Sequence, residues 1–183
     1  MTRKWTEQKE ACESPTDLKP PTMLGKCQMD ALKSWLKTHR SAPKKFIVTP
    51  EPIFPDRLDK DGELVDKWHN FNEDRGELLH FIRKEKIRDV VLLGGAVHNS
   101  HLATMTCDQD PDFKVTSLVS SPFYAVFGNY RNESKMCLEK PLHLKDQETG
   151  STYQFNYTTE GFFCEDSFMV VEVDTTQTPA CKA

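Results

Sequence analysis

A histidine that closely follows a glycine-ended apolar run is the feature of this sequence most able to do chemistry. Residues 90–93 are all Val or Leu, Gly94 and Gly95 follow, and His98 comes three residues later. Such a run predicts an internal β-strand, and open α/β sheets place their chemistry just past the carboxyl ends of these strands. His98 offers an imidazole donor, whereas Ala96 offers none. The pattern therefore indicates a metal-site turn with one ligand missing.

Other interpretations of these residues stay open. A single histidine after a strand is more often a hydrogen-bonded structural residue than a ligand. His101 would face the same way as His98 if the segment were helical, and it is equally compatible with a solvated position. Glycines at a strand end let backbone amides approach a phosphate, but no GxGxxG or GxxxxGK sequence follows Gly94 and Gly95.

Two helices are predicted from apolar residues at helical spacing, over residues 22–39 and 73–84. In the second helix Leu78, Leu79 and Ile82, together with Phe81, supply the apolar face. Its first turn is acidic and its last turn basic, which favours the helix dipole. Asn70 or Asn72 is available as its N-cap.

Strands are expected wherever β-branched and apolar residues alternate or cluster. The predicted strands are residues 44–49, 87–94, 114–119, 151–158 and 167–173, of which the last two form an antiparallel pair. Residues 98–106 are ambiguous between a short helix and a strand. Residues 120–122, Ser-Ser-Pro, have no partner pattern for a nucleophile and indicate a strand end. Residues 125–150 are polar and expected to be mobile.

This order of elements predicts an α/β fold with helices on at least one face of a mixed sheet. One folded unit is expected over residues 22–174. It is preceded by a flexible arm at residues 1–21 and followed by a loose tail at residues 175–183.

Composition narrows the class of protein. Lys and Arg number 24 against 28 Asp and Glu, the net charge is −4, and the basic residues form no stripe, so nucleic-acid binding is not favoured. No apolar run reaches the roughly 18 residues of a membrane span, and no signal peptide is recognisable, which makes the cytoplasm the default compartment. Six widely spaced cysteines and two glycosylation sequons leave an oxidising compartment with disulfides as the alternative.

Several segments, taken in order, resemble the carboxyl-terminal half of PhoD-like alkaline phosphatases and phosphodiesterases of the calcineurin-like metallophosphatase superfamily. The matching segments are residues 22–36, 45–48, 68–82 and 90–98, with weaker likeness at residues 120–122 and 166–168. Their serial order carries the resemblance. It implies a partial metallophosphatase sandwich, a phosphoester substrate and a metal such as Fe, Ca, Mn or Zn.

The resemblance also implies roles for the turn. The family's turn reads Gly-Asp-Val-His, so Gly95 matches the glycine, Ala96 stands where the aspartate would be, and His98 matches the histidine that serves the metal and substrate cluster. A methyl group can neither bind a cation nor help to acidify a bound water. Trp68 and Arg75, with Asp66, fit the family pattern too; we expect Trp68 to pack at the helix entrance and Arg75 to pair with a carboxylate.

In this family the remaining ligands lie ahead of the segment that matches Thr22, where this sequence has 21 residues and a single aspartate, Asp17. Impaired or absent catalysis, a pseudoenzyme, is therefore expected. The alternative is a non-catalytic binding or regulatory module that forms a homodimer or joins a complementing chain through an incomplete sheet. A fragment of a longer enzyme is a third possibility.

Overall fold

The structure, a computed structural model, describes residues 22–56, 68–124 and 139–174. Two α-helices, one short 3-10 helix and six strands make up this part of the chain. In chain order they are α1 (Lys26–Thr38), β1 (Lys45–Val48), the 3-10 helix (Trp68–Phe71), α2 (Asn72–Lys84), β2 (Val90–Gly94), β3 (Ser100–Cys107), β4 (Asp110–Val119), β5 (Lys140–Lys145) and β6 (Thr152–Phe163).

The six strands form one mixed sheet in the order β1-β2-β4-β3-β6-β5. Strands β1, β2 and β4 run parallel to one another, and the connection from β1 to β2 carries α2, as a parallel crossover requires. Strands β3, β6 and β5 join as antiparallel neighbours. The predicted α/β class is confirmed, and the open sheet with flanking helices is consistent with a partial metallophosphatase-like sandwich.

Both helices pack on one face of the sheet, where strand side chains of every second position are buried. Leu36 of α1 and Leu78, Leu79 and Ile82 of α2 are at most 1 % exposed. They share a continuous core with strand residues Ile47, Val90, Leu92, Ala103, Met105, Val115, Leu142, Leu144, Phe155 and Tyr157. Apolar side chains at every second strand position thus point to the face that the helices cover, as expected of half-buried strands.

The end of the sheet differs from the predicted strand pair. Residues 167–173 are not a strand; β6 pairs instead with β3 and with β5. Strand β5 lies inside residues 125–150, which were expected to be a mobile polar region, so that expectation is wrong for this segment. Only Leu142 and Leu144 of β5 are buried, and Lys140, Pro141 and Lys145 are typical of an edge strand, which hides the strand signal in a polar sequence.

The strand alternative for residues 98–106 is confirmed, while the start of β4 and the N-cap of α2 differ from the prediction. Residues 98–106 mostly form a strand, and β4 starts at Asp110 rather than at residue 114. The predicted asparagine N-cap of α2 is wrong, because Phe71 occupies the cap position and makes no side-chain capping bond. Asn72 is the first helical residue, and its Oδ1 instead accepts a hydrogen bond of 2.6 Å from Nη2 of Arg75.

Some sequence predictions lie outside the described residues: the arm at 1–21, the tail at 175–183, and Asp66. Within the described ranges no helix is long and apolar enough to cross a membrane. Cys27 and Cys107 are free thiols.

Arg75 forms a buried ion pair, as the sequence predicted. Its Nη1 lies 2.5 Å from Oδ1 of Asp56, and both side chains are at most 3 % exposed. Lys140 Nζ contacts the second carboxylate oxygen at 3.0 Å, and the Asp56 N–H donates to the Tyr157 hydroxyl at 3.1 Å. Burial alone would raise the pKa of Asp56, but Arg75 and Lys140 hold it below its usual value. This cluster joins the loop after β1 to α2, β5 and β6.

Trp68, only 2 % exposed, packs at the entrance of α2 as expected.

We expect Arg75→Met to lower the free energy of unfolding at pH 7 by about 3 to 5 kcal/mol, because it leaves Asp56 as a buried charge without its main partner. The measurement is urea unfolding followed by circular dichroism. Arg88→Met is the matched control: Arg88 is 50 % exposed and pairs with the exposed Asp112 at 2.9 Å, so its loss should cost no more than about 1 kcal/mol. Equal effects of the two substitutions would contradict the prediction.

Candidate functional site

The turn after β2 has an unusual backbone. Ala96 and His98 both lie in the left-handed region, with φ of 61° and 59°. For residues other than glycine this conformation costs roughly 1 to 2 kcal/mol, and Asn, Asp and His are the side chains that adopt it most readily. The backbone at position 96 therefore suits an aspartate better than the alanine that occupies it. The Ala96 side chain is exposed and His98 is half-buried.

The two glycines before this turn differ in how closely other parts of the chain approach them. A Cβ on Gly94 would lie 3.2 Å from the backbone nitrogen of Pro52, so Gly94 lets the loop after β1 approach the end of β2 closely. A Cβ on Gly95 would lie 3.6 Å from the Ser120 carbonyl oxygen, which is an ordinary contact. The group that lies close to Gly94 is thus the protein backbone at Pro52. This favours a packing role for Gly94 over the interpretation that the glycines let backbone amides bind a phosphate.

A chain of serine contacts holds the turn against the end of β4. The His98 N–H donates to Ser121 Oγ at 3.3 Å, and the Ser121 N–H donates to Ser100 Oγ at 3.1 Å. Ser100 Oγ lies 2.8 Å from Ser167 Oγ, and the Ser167 N–H donates to the Pro122 carbonyl at 2.9 Å. Three segments that are far apart in the sequence, at residues 94–100, 120–122 and 167, therefore meet at the carboxyl ends of β2 and β4.

Asn99 and His101 form a buried pair beside this turn. Asn99 Nδ2 donates to the Val97 carbonyl at 3.0 Å, which leaves its Oδ1 to accept from His101 Nδ1 at 2.7 Å. His101 Nε2 is then the unprotonated nitrogen, and it has no hydrogen-bond partner within the described ranges. The ring is fully buried and stacks on Phe162, with 6.0 Å between centroids. Burial lowers the pKa of His101 to about 4.

The donors near the turn do not fit a hydrolytic metal site. Such sites need at least three imidazole or carboxylate ligands around each ion. The turn supplies the His98 imidazole, and Ala96 supplies nothing. No cluster of three or more His, Cys, Asp or Glu side chains that could hold a metal ion occurs in residues 22–56, 68–124 and 139–174.

Comparison with known proteins accounts for the order of these segments. A family model for PhoD-like phosphatases matches residues 2–176, nearly the whole chain. The chain belongs to the PhoD-like phosphatase family. No curated protein and no solved structure matches it.

In this PhoD-like phosphatase, the turn after β2 lies where several of the segments that resemble the family come together. The segments that resemble the family, including the weaker ones at residues 120–122 and 166–168, are those that the serine contacts bring together. Gly95, Ala96 and His98 lie together at the end of β2, as expected from the sequence. The backbone at position 96 thus suits an aspartate, while the side chain present there is a methyl group.

Two features of the site were not anticipated from sequence. His101 was interpreted as facing His98 on a helix or as solvated, but it lies in β3 and is buried. Its register with Ala103, Met105 and Cys107, all buried at every second position, is the signal that could have placed it. The contact between Ser100 and Ser167 joins residues that are 67 positions apart, and no local sequence pattern predicts it.

The buried His101 should make stability depend on pH. Its folded-state pKa of about 4 lies below the ordinary value of 6.5, so the unfolded chain binds more protons between these pH values. The contribution of neutral His101 to the free energy of unfolding is therefore fully present above pH 6.5, and it is lost as the pH drops towards 4. From pH 7 to pH 5 we expect His101 alone to remove about 2 kcal/mol.

The measurement is urea unfolding at both pH values for the wild type and His101→Gln. The glutamine variant should lose about 2 kcal/mol less than the wild type over this interval. His143→Gln, at an exposed position of β5, is the matched control and should follow the wild type. Identical pH dependence of the wild type and His101→Gln would refute the buried neutral imidazole.

Proposed function

We propose that this chain is a PhoD-like phosphoesterase relative in which catalysis is impaired or absent. The observation that supports the proposal is Ala96. By the resemblance of the turn, Ala96 matches the family's aspartate. It lies at the carboxyl end of β2, on a backbone with φ of 61° that an aspartate would readily adopt. Loss of this carboxylate removes both a ligand and the negative charge that would balance a cation.

In this proposal His98 is the remaining group of the ancestral site. Its backbone N–H donates to Ser121. By the resemblance of the turn, its imidazole matches the family's histidine. Without the neighbouring carboxylate, one imidazole can at most contribute to binding an ion or a phosphoester oxygen. The metals that the family implies, Fe, Ca, Mn or Zn, would be held weakly by the residues of this turn.

An assay with an aryl phosphomonoester and an aryl phosphodiester, with each of these metals added in turn, tests the proposal. We expect no metal-dependent turnover by the wild-type protein above the rate of metal and substrate alone. Turnover that requires a metal and is lost in His98→Asn would overturn the proposal. Asparagine tolerates the left-handed backbone at position 98, so this variant removes the imidazole without distorting the turn.

Ala96→Asp asks whether the missing carboxylate is what separates the turn from a metal site. We expect calorimetric titration to show affinity for Mn²⁺ or Zn²⁺ raised about tenfold or more, because a carboxylate beside His98 supplies a second ligand and a balancing charge. Ala96→Asn is the matched control, since it has the same shape and backbone preference without the charge. Equal metal affinity of the two variants would contradict a metal-related role for position 96.

A second candidate function is association through the sheet, and a specific observation favours it. The helices cover one face, while the side chains of the opposite face are half-buried or exposed, with Phe46 37 % and Val48 76 % exposed. By strand register two rows cross this face: Phe46, Val91, Thr116 and Thr104, and then Val48, Leu93, Leu118 and Leu102. We call these eight residues the open face.

We infer that a second copy of this chain covers the open face. Its eight residues carry no charge, so two copies can oppose it without like-charge repulsion, as an isologous two-fold contact requires. Sheets commonly pack face to face through such apolar rows. A homodimer would thereby remove from water the Leu and Val side chains that one copy leaves half-exposed.

Sedimentation velocity tests this inference. The wild type should sediment as a dimer, and Val48→Lys should shift it towards monomer, because it places a charge in the open face. Val48 is exposed, so the variant should fold. Val170→Lys is the matched control, because Val170 is 79 % exposed and lies outside the open face; it should remain dimeric. A monomeric wild-type protein would refute the dimer.

A further inference from the structure

A small, largely apolar cavity lies between α1, β1 and the start of α2. It is partly open to solvent, because Gln28, Val48 and Pro50 among its lining residues are exposed. Its volume is about 130 Å³. Leu24 and Leu32 form its wall on the α1 side, Ile47 and Leu78 line it from β1 and α2, and Ile53 closes it from the loop after β1. An apolar cavity of about 150 Å³ is large enough to hold a benzene-sized molecule. The space therefore suits a single ring or a short branched chain.

Trp68 gives this cavity a hydrogen-bond donor without a partner among the described residues. The indole lines the cavity and is only 2 % exposed, yet its Nε1–H has no acceptor among the residues that the structure describes. Indole nitrogen is a donor only, and a buried donor without a partner is destabilising. A molecule in the cavity that carries an acceptor atom would satisfy it.

Two polar residues line the cavity, Gln28 and Thr49, and neither hydrogen-bonds to Trp68 Nε1. Gln28 is exposed to solvent. The Thr49 hydroxyl, which also lines the cavity, donates to the Glu51 carbonyl. The wall at Leu24 is held in place because the Leu24 N–H donates to Asp74 Oδ2 at 3.1 Å. None of the ten lining residues is charged, so a carboxylate, a phosphate or an ammonium group would be desolvated there without compensation. The fitting ligand is therefore neutral.

We propose that this cavity binds a small neutral molecule, with one ring or four to six carbons, through a single oxygen acceptor that hydrogen-bonds to Trp68 Nε1–H. Its class is that of simple phenols, alcohols and ketones. The cavity shares no residue with the His98 turn, so the proposal is independent of the phosphoesterase chemistry and can fail or succeed separately from it.

Nuclear magnetic resonance of the indole N–H groups provides the test. The chain has three tryptophans, Trp5, Trp35 and Trp68, so the side-chain region of a ¹H–¹⁵N spectrum contains three indole signals. Trp68→Phe assigns the Trp68 signal by its loss. Phenol and toluene are the probes, since they have the same number of heavy atoms and differ by the oxygen acceptor.

Phenol should shift the Trp68 signal saturably and bind at least threefold more tightly than toluene. In Trp68→Phe, phenol should fall to the affinity of toluene, followed on methyl signals of the lining residues, while toluene binding stays the same. Trp35→Phe is the matched control, because Trp35 is 39 % exposed and does not line the cavity; it should bind both probes as the wild type does.

A second variant keeps the proposal falsifiable if Trp68→Phe does not fold. Leu32→Trp fills the cavity from its partly buried side, and it should abolish the phenol-dependent shift of the Trp68 signal. The proposal is overturned if phenol and toluene bind the wild type equally, if phenol leaves the Trp68 signal unmoved, or if its effect survives in Leu32→Trp.

Discussion

The pairing of β4 with both β2 and β3 is the constraint on which the rest of the structure depends. β4 runs parallel to β2 and antiparallel to β3, so it converts a parallel half-sheet into an antiparallel one. Its register places Val119 opposite both Gly94 and His101. The end of β2, the start of β3 and the serines after β4 are therefore forced to the same edge, and the candidate site is assembled there.

At this edge the backbone conformation suits an aspartate at position 96, but the side chain there is a methyl group. The left-handed residues Ala96 and His98 and the serine contacts fix the shape of the turn after β2. The chain belongs to a phosphatase family, but position 96 contributes only a methyl group. Coulombic stabilisation of a cation needs an anionic ligand, which Ala96 does not supply, and the His98 imidazole by itself falls short of the three ligands of a hydrolytic metal site.

Burial is distributed unevenly across the sheet. The helix-covered face is closed by large apolar side chains and stabilised at its margin by the buried cluster of Arg75, Asp56 and Lys140. The open face leaves Val and Leu side chains half-exposed, and the hydrophobic effect favours covering them. The small cavity beside Trp68 is the complementary case, a place where the covered face is not completely filled.

The sequence by itself determined the α/β class, both helices, strands β1 and β2, the strand character of β4 and the position of His98 after β2. These follow from local periodicity and from residues adjacent in the chain. It could not identify β5, because an edge strand with two buried leucines among lysines and a proline resembles a polar loop. Nor could it choose the partner of β6 or the serine contacts that reach Ser167. Those depend on pairings between residues tens of positions apart, and only tertiary packing, which decides which face of each strand is removed from water, selects among them.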